Sequence, residues 1–337
     1  MNEKKTASNE KKTSVKRILL IIAIAVLVLI ALIILIPTIN ARKIPHHFAS
    51  AKEGRELFLA KTEYYSDFTQ NDIDYRLKKS GGTLDEFLEV SANDIKSFNP
   101  LEKYLMNCRI AKMARKLKKN GYTLPQSEEV VYIKTKMSTE GGNSGFTLGN
   151  EIYLSSMNIV IGLIPGAGQY FEHLMWHELY HTLSRNNPDF RAEMYSLINF
   201  TVSDSDFEMP PCVRDLYFKN PDVERHDSYA SFIIDGNETD CFLVWLCTTD
   251  YAQSGSSMVF LNEPVLVPID GTDTYYTFDR VSNLDEVFGS NTNYVIDPEE
   301  CMADNFADTM QYGLAGRMGK GYDNPEIIQG IMDILKK

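Results

Sequence analysis

Three residues on one short stretch have the types and the spacing of a metal-dependent hydrolytic site. The sequence from Trp176 to His181 reads Trp-His-Glu-Leu-Tyr-His, so His177 and His181 are four positions apart and Glu178 follows the first. On a helix, residues four apart lie on one face, and two imidazoles there can bind one metal ion. Glu178 would lie roughly 100° further around the helix. A general base at that position can take a proton from a water molecule that the metal activates.

The flanking residues indicate that this stretch is helical. Apolar residues recur at helical spacing through it, and Pro188 ends it because proline cannot continue the hydrogen-bond ladder. Asn187 is then a suitable N-cap for a second helix that reaches about Phe200. The pattern therefore predicts a zinc site on a helix. The alternative is a surface helix that carries two histidines by chance.

A zinc site of this kind needs a third protein ligand and one open position. The extended metzincin pattern requires Gly and His at positions 184 and 187, where this chain has Ser184 and Asn187, so that class is excluded. Far downstream, Glu300-x-x-x-Asp304 resembles the ligand helix of gluzincins, the thermolysin-like branch of zinc peptidases. The resemblance implies that Glu300 is the third zinc ligand. It also implies that Asp304 accepts the outer N–H of a zinc-bound histidine.

Two other interpretations of these downstream residues stay open. Asp297 with Glu300 also fits a capping box, with Pro298 as the first helical residue. Asp273, in a Gly-Thr-Asp sequence, is similar to a ligand motif of aspzincins and is an alternative third ligand. His173, one turn before the motif, is expected to have a packing or supporting part.

The resemblance also implies a fold. It predicts an α+β, zincin-like domain in which an antiparallel edge hairpin precedes the active-site helix. Gly149-Asn150 has the sequence of a two-residue hairpin turn between runs at 145–148 and 151–155. The stretch from Gly149 to Ser155 is accordingly expected to be the edge strand on which a substrate peptide lies, although an ordinary sheet hairpin has the same pattern. Residues 180–188, 220–222 and 298–306, spread over the last two-thirds of the chain, also resemble a group of uncharacterised bacterial membrane-anchored proteins assigned as metallopeptidases.

A zinc peptidase needs a donor for the oxyanion that forms on the attacked carbonyl group. His226, Tyr294 and Tyr275 are candidates by residue type alone. The sequence does not choose among them.

The N-terminus predicts a single membrane span. Six basic residues lie within positions 1–17, and an unbroken apolar run of nineteen residues follows from Ile18 to Ile36. That length can cross the hydrocarbon layer, and the charge asymmetry predicts a cytoplasmic N-terminus and an extracytoplasmic remainder. We expect a cytoplasmic tail at 1–17 and a signal anchor at 18–39, with a cleaved signal peptide as the alternative.

The charge of the chain restricts its possible partners. Eight basic and two acidic residues precede Pro45, which leaves 26 basic and 44 acidic residues and a formal charge near −18 after it. That charge argues against nucleic acid as a partner.

The cysteine count is five, so at least one thiol is unpaired. Cys241 and Cys247 would lie ~20 Å apart on one strand and cannot bridge each other.

Two regions complete the domain organisation. Residues 45–125 show helical patterns, whereas 126–337 would form the zincin-like domain. Within it, residues 201–294 consist of short apolar runs separated by Pro, Gly, Asn and Asp, which predicts a β-rich insertion. The apolar runs are 232–234, 242–246, 258–261, 265–268 and 275–278.

The sequence thus predicts a membrane-anchored extracytoplasmic zinc metallopeptidase. His177, His181 and Glu300 would bind one Zn²⁺ ion, Glu178 would be the base, and the partner would be a peptide or protein substrate. A non-catalytic cell-surface binding protein with a structural or vestigial metal site is the alternative. Such a site would be closed by a fourth side chain, for which His173 or Asp273 is available. Hydrolysis of a non-peptide amide would use the same residues.

Overall fold

Helices dominate the N-terminal part of the chain, and two β-sheets and a bundle of helices follow. The computed structural model describes residues 2–126, 128–140, 144–162, 168–249, 251 and 262–337. The protein is of mixed α/β type with a helical N-terminal section, as predicted at that level. The helices are α1 (Asn2–Ala41), α2 (Ala51–Leu59), α3 (Thr62–Ser66), α4 (Gln70–Leu77), α5 (Leu84–Asp94), α6 (Pro100–Asn120), α7 (Ser156–Ile161), α8 (Gly168–Asn186), α9 (Pro188–Ser196), α10 (Pro211–Arg214), α11 (Leu284–Phe288), α12 (Pro298–Tyr312) and α13 (Pro325–Ile334).

The chain divides into two compact units. One consists of residues 1–44 and 100–116, and the other of residues 45–99 and 117–337. In the first unit, Lys16–Ala41 of α1 is long and apolar enough to cross a membrane; its residues 16–36 are exposed, whereas Ala41 is buried. The predicted apolar run is therefore a continuous helix with an exposed apolar surface.

The first sheet of the larger unit has four strands, β1 (His46–Phe48), β2 (Val130–Thr135), β3 (Gly145–Leu148) and β4 (Glu151–Ser155), in the order β1-β2-β4-β3. β1, β2 and β4 are parallel, whereas β3 is antiparallel to β4 through the predicted Gly149-Asn150 turn. Gly149 adopts a φ of +64°, which favours glycine. The expectation that 149–155 forms the edge is wrong, because β4 pairs on both sides and β3 is the edge strand.

Helices α2 to α5 pack on the first sheet and share its hydrophobic core. Phe58, Tyr65 and Phe87 from these helices form one buried cluster with Ile133 and Tyr153 of the sheet. Three of the four helices begin with a side-chain cap from Ser50, Thr69 or Thr83, each within a capping box. Residues 45–99 thus contribute both a strand and core residues to the sheet.

The second sheet lies in the predicted insertion and is entirely antiparallel. Its strands, in spatial and chain order, are β5 (Thr201–Val202), β6 (Ser228–Ile234), β7 (Asn237–Cys247), β8 (Asn262–Pro268) and β9 (Tyr276–Thr277). Four of the five predicted apolar runs coincide with these strands, and the run 258–261 lies outside the described residues. None of the five cysteines, all of which lie in the described part of the chain, forms a disulfide bond, and Cys241 and Cys247 both lie on β7.

The His-Glu-x-x-His stretch is helical, as predicted, and lies in the second half of α8. α8 ends before Pro188, which opens α9. Asn187 does not cap α9 with its side chain; it donates to the Leu183 carbonyl and so satisfies the end of α8. α9 also ends at Ser196, earlier than expected.

A buried ion pair within α4 hydrogen-bonds to the backbone of Lys219, in the segment that leads to β6. Arg76 Nη1 lies 2.7 Å from Asp72 Oδ1, and both side chains are almost fully buried. Arg76 also donates to the carbonyl of Lys219 at 2.6 Å, while the Lys219 N–H donates to Asp72 at 2.8 Å. The guanidinium stacks between the rings of Phe68 and Phe218. The pair therefore fixes the backbone at residue 219.

Replacing Arg76 with Ala tests this attachment. The substitution leaves a buried carboxylate without its partner, so we expect the free energy of unfolding to fall by about 3–5 kcal/mol. The control is Lys79→Ala, which breaks the half-exposed pair with Glu86 and should cost less than about 1 kcal/mol. Urea unfolding of the full chain in detergent, followed by tryptophan fluorescence, measures both. Equal effects of the two substitutions would contradict the assignment.

Candidate metal centre

Two packed helices, α8 and α12, bring the predicted ligands together. His177 Nε2 lies 3.1 Å from Glu300 Oε2, and His181 Nε2 lies 3.6 Å from the same oxygen. The three candidate ligand atoms all lie within 4.8 Å of one another. His181 and Glu300 are buried, and the side chain of His177 is 11% exposed. The structure thus brings together the three predicted ligands, of which His177 and Glu300 are 123 positions apart in the chain.

The ring of His181 is held with one nitrogen free. Its Nδ1 is 2.9 Å from Glu299 Oε1, and the other Glu299 oxygen accepts from Ser184 Oγ and Tyr195 Oη, each at 2.7 Å. The carboxylate therefore accepts the Nδ1–H of His181, so Nε2 is the nitrogen that offers a lone pair when the ring is neutral. Nε2 is buried and has no hydrogen-bond partner. A buried nitrogen without a partner, beside a carboxylate and a second imidazole, is suited to bind a metal ion.

His177 is oriented by a different carboxylate. Its Nδ1 lies 3.3 Å from Asp304 Oδ1, the same oxygen that His173 Nε2 contacts at 3.0 Å. Thr292 Oγ1 donates to the other oxygen of Asp304 at 2.6 Å. Burial alone would raise the pKa of Asp304, but the hydrogen bonds from His173 and His177 outweigh it and hold that pKa below its usual value. Asp304 therefore has the position that the resemblance implies for it.

His173, His177 and Asp304 are a second group that could hold a metal. In this group each nitrogen–oxygen contact is accounted for by an N–H donating to a carboxylate. The unpaired nitrogen of His181 belongs to the group with His177 and Glu300 and also to a third group, with Glu178 and Asp222. Of these two groups, the one with His177 and Glu300 combines two imidazoles with a carboxylate, so the candidate metal centre is His177, His181 and Glu300.

Glu300 faces the two histidines and does not complete a capping box. Asp297 caps α12 by accepting from the Glu299 N–H at 2.8 Å. The oxygens of Glu300 contact His177 and the side-chain amide of Asn220, which donates at 2.6 Å. Burial would raise the pKa of Glu300, but the hydrogen bond with His177 and the charge of His181 lower it. Glu300 is thus stabilised in the charged form that a ligand needs.

Two imidazoles and one carboxylate are a donor set that suits zinc in catalytic sites. Each imidazole has a carboxylate on its outer nitrogen, which is the usual support of a metal-bound histidine. The buried group formed by His177, His181 and Glu300 can therefore bind a metal ion.

Glu178 is buried next to this group, beside the edge strand. Burial and the neighbouring charge of Asp222 raise its pKa to about 8, and its Oε2 has no hydrogen-bond partner. A Cβ atom on Gly145 would lie 2.5 Å from Glu178 Oε1. Only glycine therefore leaves room for the carboxylate at this position of β3.

Asp222 is a site residue that the sequence did not reveal. It lines a cavity of about 290 Å³ together with His177, Glu178 and Glu300. Its Oδ1 accepts from both the N–H and the hydroxyl of Thr147, at 2.7 and 2.8 Å. Burial raises the pKa of Asp222, and His181 opposes that rise. The sequence Asn220-Pro221-Asp222 contributed to the resemblance, but nothing in it indicated a place in the site.

The three oxyanion candidates lie in different places. Tyr294 lines the cavity, and its ring centre is 6.1 Å from that of His177. His226 contacts the Tyr217 hydroxyl at 2.9 Å, and burial lowers its pKa to about 4. Tyr275 packs against the apolar cluster of the second sheet. Tyr294 is therefore the candidate that the fold brings to the metal centre.

Two further predicted roles fall outside the centre. Asp273, the alternative third ligand, accepts from the N–H of Cys212 at 2.9 Å at the start of α10. Glu299, for which the sequence indicated no place in the site, is the hydrogen-bond partner of His181. The spacing of Glu299 and Glu300 within one helical turn gave no sign that both would face α8.

No protein-family model, curated protein or solved structure matches this chain. The evidence for the site is therefore its own geometry.

Metal binding by the full chain in detergent tests the ligand assignment. We expect one zinc ion per chain, lost in Glu300→Ala because one of three ligands is removed. Glu299→Gln should keep the metal but weaken its affinity about 10–100-fold, since His181 loses its anionic acceptor. Competition with a chelator measures these affinities.

The control for metal binding is Glu326→Gln, which changes a carboxylate in the first turn of α13. Its zinc affinity should equal that of the unaltered protein. Full zinc retention in Glu300→Ala would place the third ligand elsewhere.

Proposed function

We propose that this protein is a membrane-anchored, zinc-dependent hydrolase that cleaves peptide bonds outside the cytoplasm. The observation that supports it most is the unpaired, buried Nε2 of His181, which shares one carboxylate with His177 beside a buried glutamate. A metal ligand set and a base in contact with one cavity are the parts that hydrolysis needs.

His177, His181 and Glu300 would hold the zinc ion, which, when bound, polarises a carbonyl group and makes water more acidic. Glu178 is the base: it takes a proton from the attacking water and transfers it to the leaving amine. The raised pKa of Glu178, about 8, suits a group that must both accept and release a proton near neutral pH. Gly145 keeps the space that this carboxylate occupies.

Tyr294 is the proposed oxyanion donor. Burial and the charge of Glu300 raise its pKa, so its hydroxyl stays protonated at neutral pH and can donate a hydrogen bond. Its ring is 40% exposed, so the side chain can reach a bound substrate in the cavity.

The alternative is a non-catalytic surface protein with a closed metal site, which needs a fourth protein ligand. Of the two side chains available from the sequence, Asp273 caps a distant turn, and His173 binds Asp304 and Asp308. A closed site also has no use for a buried base at Glu178. These contacts favour hydrolysis.

The N-terminal helix would anchor the enzyme. Six basic residues before the apolar run favour a cytoplasmic N-terminus by the positive-inside rule, and the metal centre would then lie on the opposite side of the membrane. The formal charge near −18 after Pro45 suits neutral or cationic peptides better than anionic ones.

Glu178→Gln is the first test of the mechanism. Glutamine has the same shape but cannot accept the proton, so we expect hydrolysis to fall by about 10²–10⁴-fold while zinc content stays unchanged. Glu193→Gln, on the exposed face of α9, is the control and should keep full activity. A Glu178→Gln variant as active as the unaltered protein would refute the role of Glu178.

Gly145→Ala tests the packing of the base. The new Cβ would lie 2.5 Å from Glu178 Oε1 and displace that carboxylate. We expect kcat to fall by about 10–100-fold with zinc content unchanged, because no ligand is touched. Unchanged kcat, measured at saturating peptide, would show that the base tolerates the displacement.

A further inference from the structure

The outer edge of β3 offers little room for a substrate strand. The Ser144 carbonyl accepts from the Ser155 N–H at 3.1 Å and so points toward β4. Because backbone groups alternate along a strand, those of Gly145 and Thr147 point away from the sheet. These outward groups are the ones that an added strand would have to use.

Side chains already occupy most of this edge. The Thr147 N–H donates to Asp222 at 2.7 Å, and the Gly149 N–H donates to Glu224 at 3.2 Å. Arg185 donates to the Gly149 carbonyl at 2.8 Å and forms an ion pair with Glu224 at 2.7 Å. Within the described part of β3, the backbone groups of Gly145 are therefore left for a substrate, next to the base, whereas the N–H groups of Thr147 and Gly149 are already used.

The carboxylate of Asp222 lines the cavity of about 290 Å³ at the end next to Gly145 of β3. Atoms of Asp222, Glu178 and His181 lie within 4.8 Å of one another. The N–H and the hydroxyl of Thr147 both donate to Asp222 Oδ1. Arg185 forms an ion pair with Glu224, and its charge also favours the ionised form of Asp222 by opposing the rise in the Asp222 pKa that burial causes. Asp222 is therefore the carboxylate that a cation entering this end of the cavity would meet.

The opposite end of the cleft is open. A cavity of about 720 Å³ shares Tyr170, His173 and Asp304 with the cavity at the metal centre. The cavity behind Asp222 measures about 90 Å³. A long peptide thus fits on the side of Tyr170 and not on the side of Asp222.

We infer that Asp222 binds the α-ammonium group of a peptide, which makes the enzyme an aminopeptidase that removes one residue at a time. The inference rests on the proposed function. From standard bond lengths, the nitrogen and carbonyl carbon of one residue are only about 2.5 Å apart. An ammonium held by Asp222 therefore brings the carbonyl group of the same residue beside Glu178.

The reaction adds one water molecule across the first peptide bond. The C–N bond breaks, the water oxygen bonds to the carbonyl carbon, and one water proton reaches the leaving nitrogen through Glu178. The products are a free amino acid and a peptide shortened by one residue. The shortened peptide leaves through the open side of the cleft.

The test compares two peptides of about ten residues, one with a free α-amino group and one N-acetylated, on the zinc-loaded full chain. We expect release of the first residue, and a kcat/KM about 100-fold lower for the acetylated peptide. Asp222→Asn keeps an acceptor for Thr147 but removes the charge, so this ratio should fall below about 5-fold with zinc content unchanged. Glu326→Gln, which changes a carboxylate in the first turn of α13, is the control and should keep the ratio.

A third peptide, N-acetylated but with an internal lysine, tests whether a side-chain ammonium group can replace the α-ammonium group. Cleavage beside that lysine at the rate of the free peptide would overturn the inference, as would equal cleavage of the first two peptides. Both results would leave the proposed hydrolase intact. Failure of the zinc-loaded chain to cleave any of the three would overturn both proposals.

Binding to the inactive Glu178→Gln variant gives a readout without turnover. By isothermal titration, the free peptide should bind about 100-fold more tightly than its acetylated form. Equal affinities would overturn the inference even if hydrolysis is observed.

Discussion

The excess of buried carboxylates around two imidazoles is the constraint on which the site depends. Glu178, Glu299 and Glu300 are almost fully buried, and the imidazoles of His177 and His181 contact Glu300 and Glu299. Buried charges are costly unless they are paired or coordinate a metal. Placing Glu299 and Glu300 in the first turn of α12 reduces that cost, because the helix N-terminus favours negative charge. The remaining imbalance is what a divalent cation would remove.

Helices α8 and α12 contribute different side chains to the site. α8 supplies both imidazoles and the base, and α12 supplies the shared carboxylate and the acceptors for both outer nitrogens. Asp304 holds one ring and Glu299 the other, so neither histidine can turn without losing a charged hydrogen bond. The centre is therefore preorganised by the carboxylates around it.

The other residues that line the cavity at the site, including Asn220 and Asp222, come from distant parts of the chain. Asn220 and Asp222 enter the site on a segment whose backbone is fixed at residue 219 by Arg76 and Asp72 of α4. The helices of residues 45–99 thus support the cleft as well as the first sheet. The same segment covers the edge of β3 and makes the cleft asymmetric.

The sequence by itself determined the features that depend on local spacing. The helix of His177, Glu178 and His181, the Gly149-Asn150 hairpin and the apolar N-terminal helix all follow from residue periodicity and turn chemistry. Glu300 and Asp304 were also predictable, because their four-residue spacing carries the resemblance to gluzincins. The apolar runs of the insertion likewise predicted most strands of the second sheet.

Tertiary structure alone decided the order of the strands and the shape of the cleft. Nothing local distinguishes an edge strand from a central one, so β3 and β4 exchanged their expected roles. The part played by Asp222 depends on where a loop 41 positions after His181 folds back onto Thr147, and that of Glu299 on which face of α12 meets α8. Such contacts arise from packing over long sequence separations, which leaves no periodic trace in the chain.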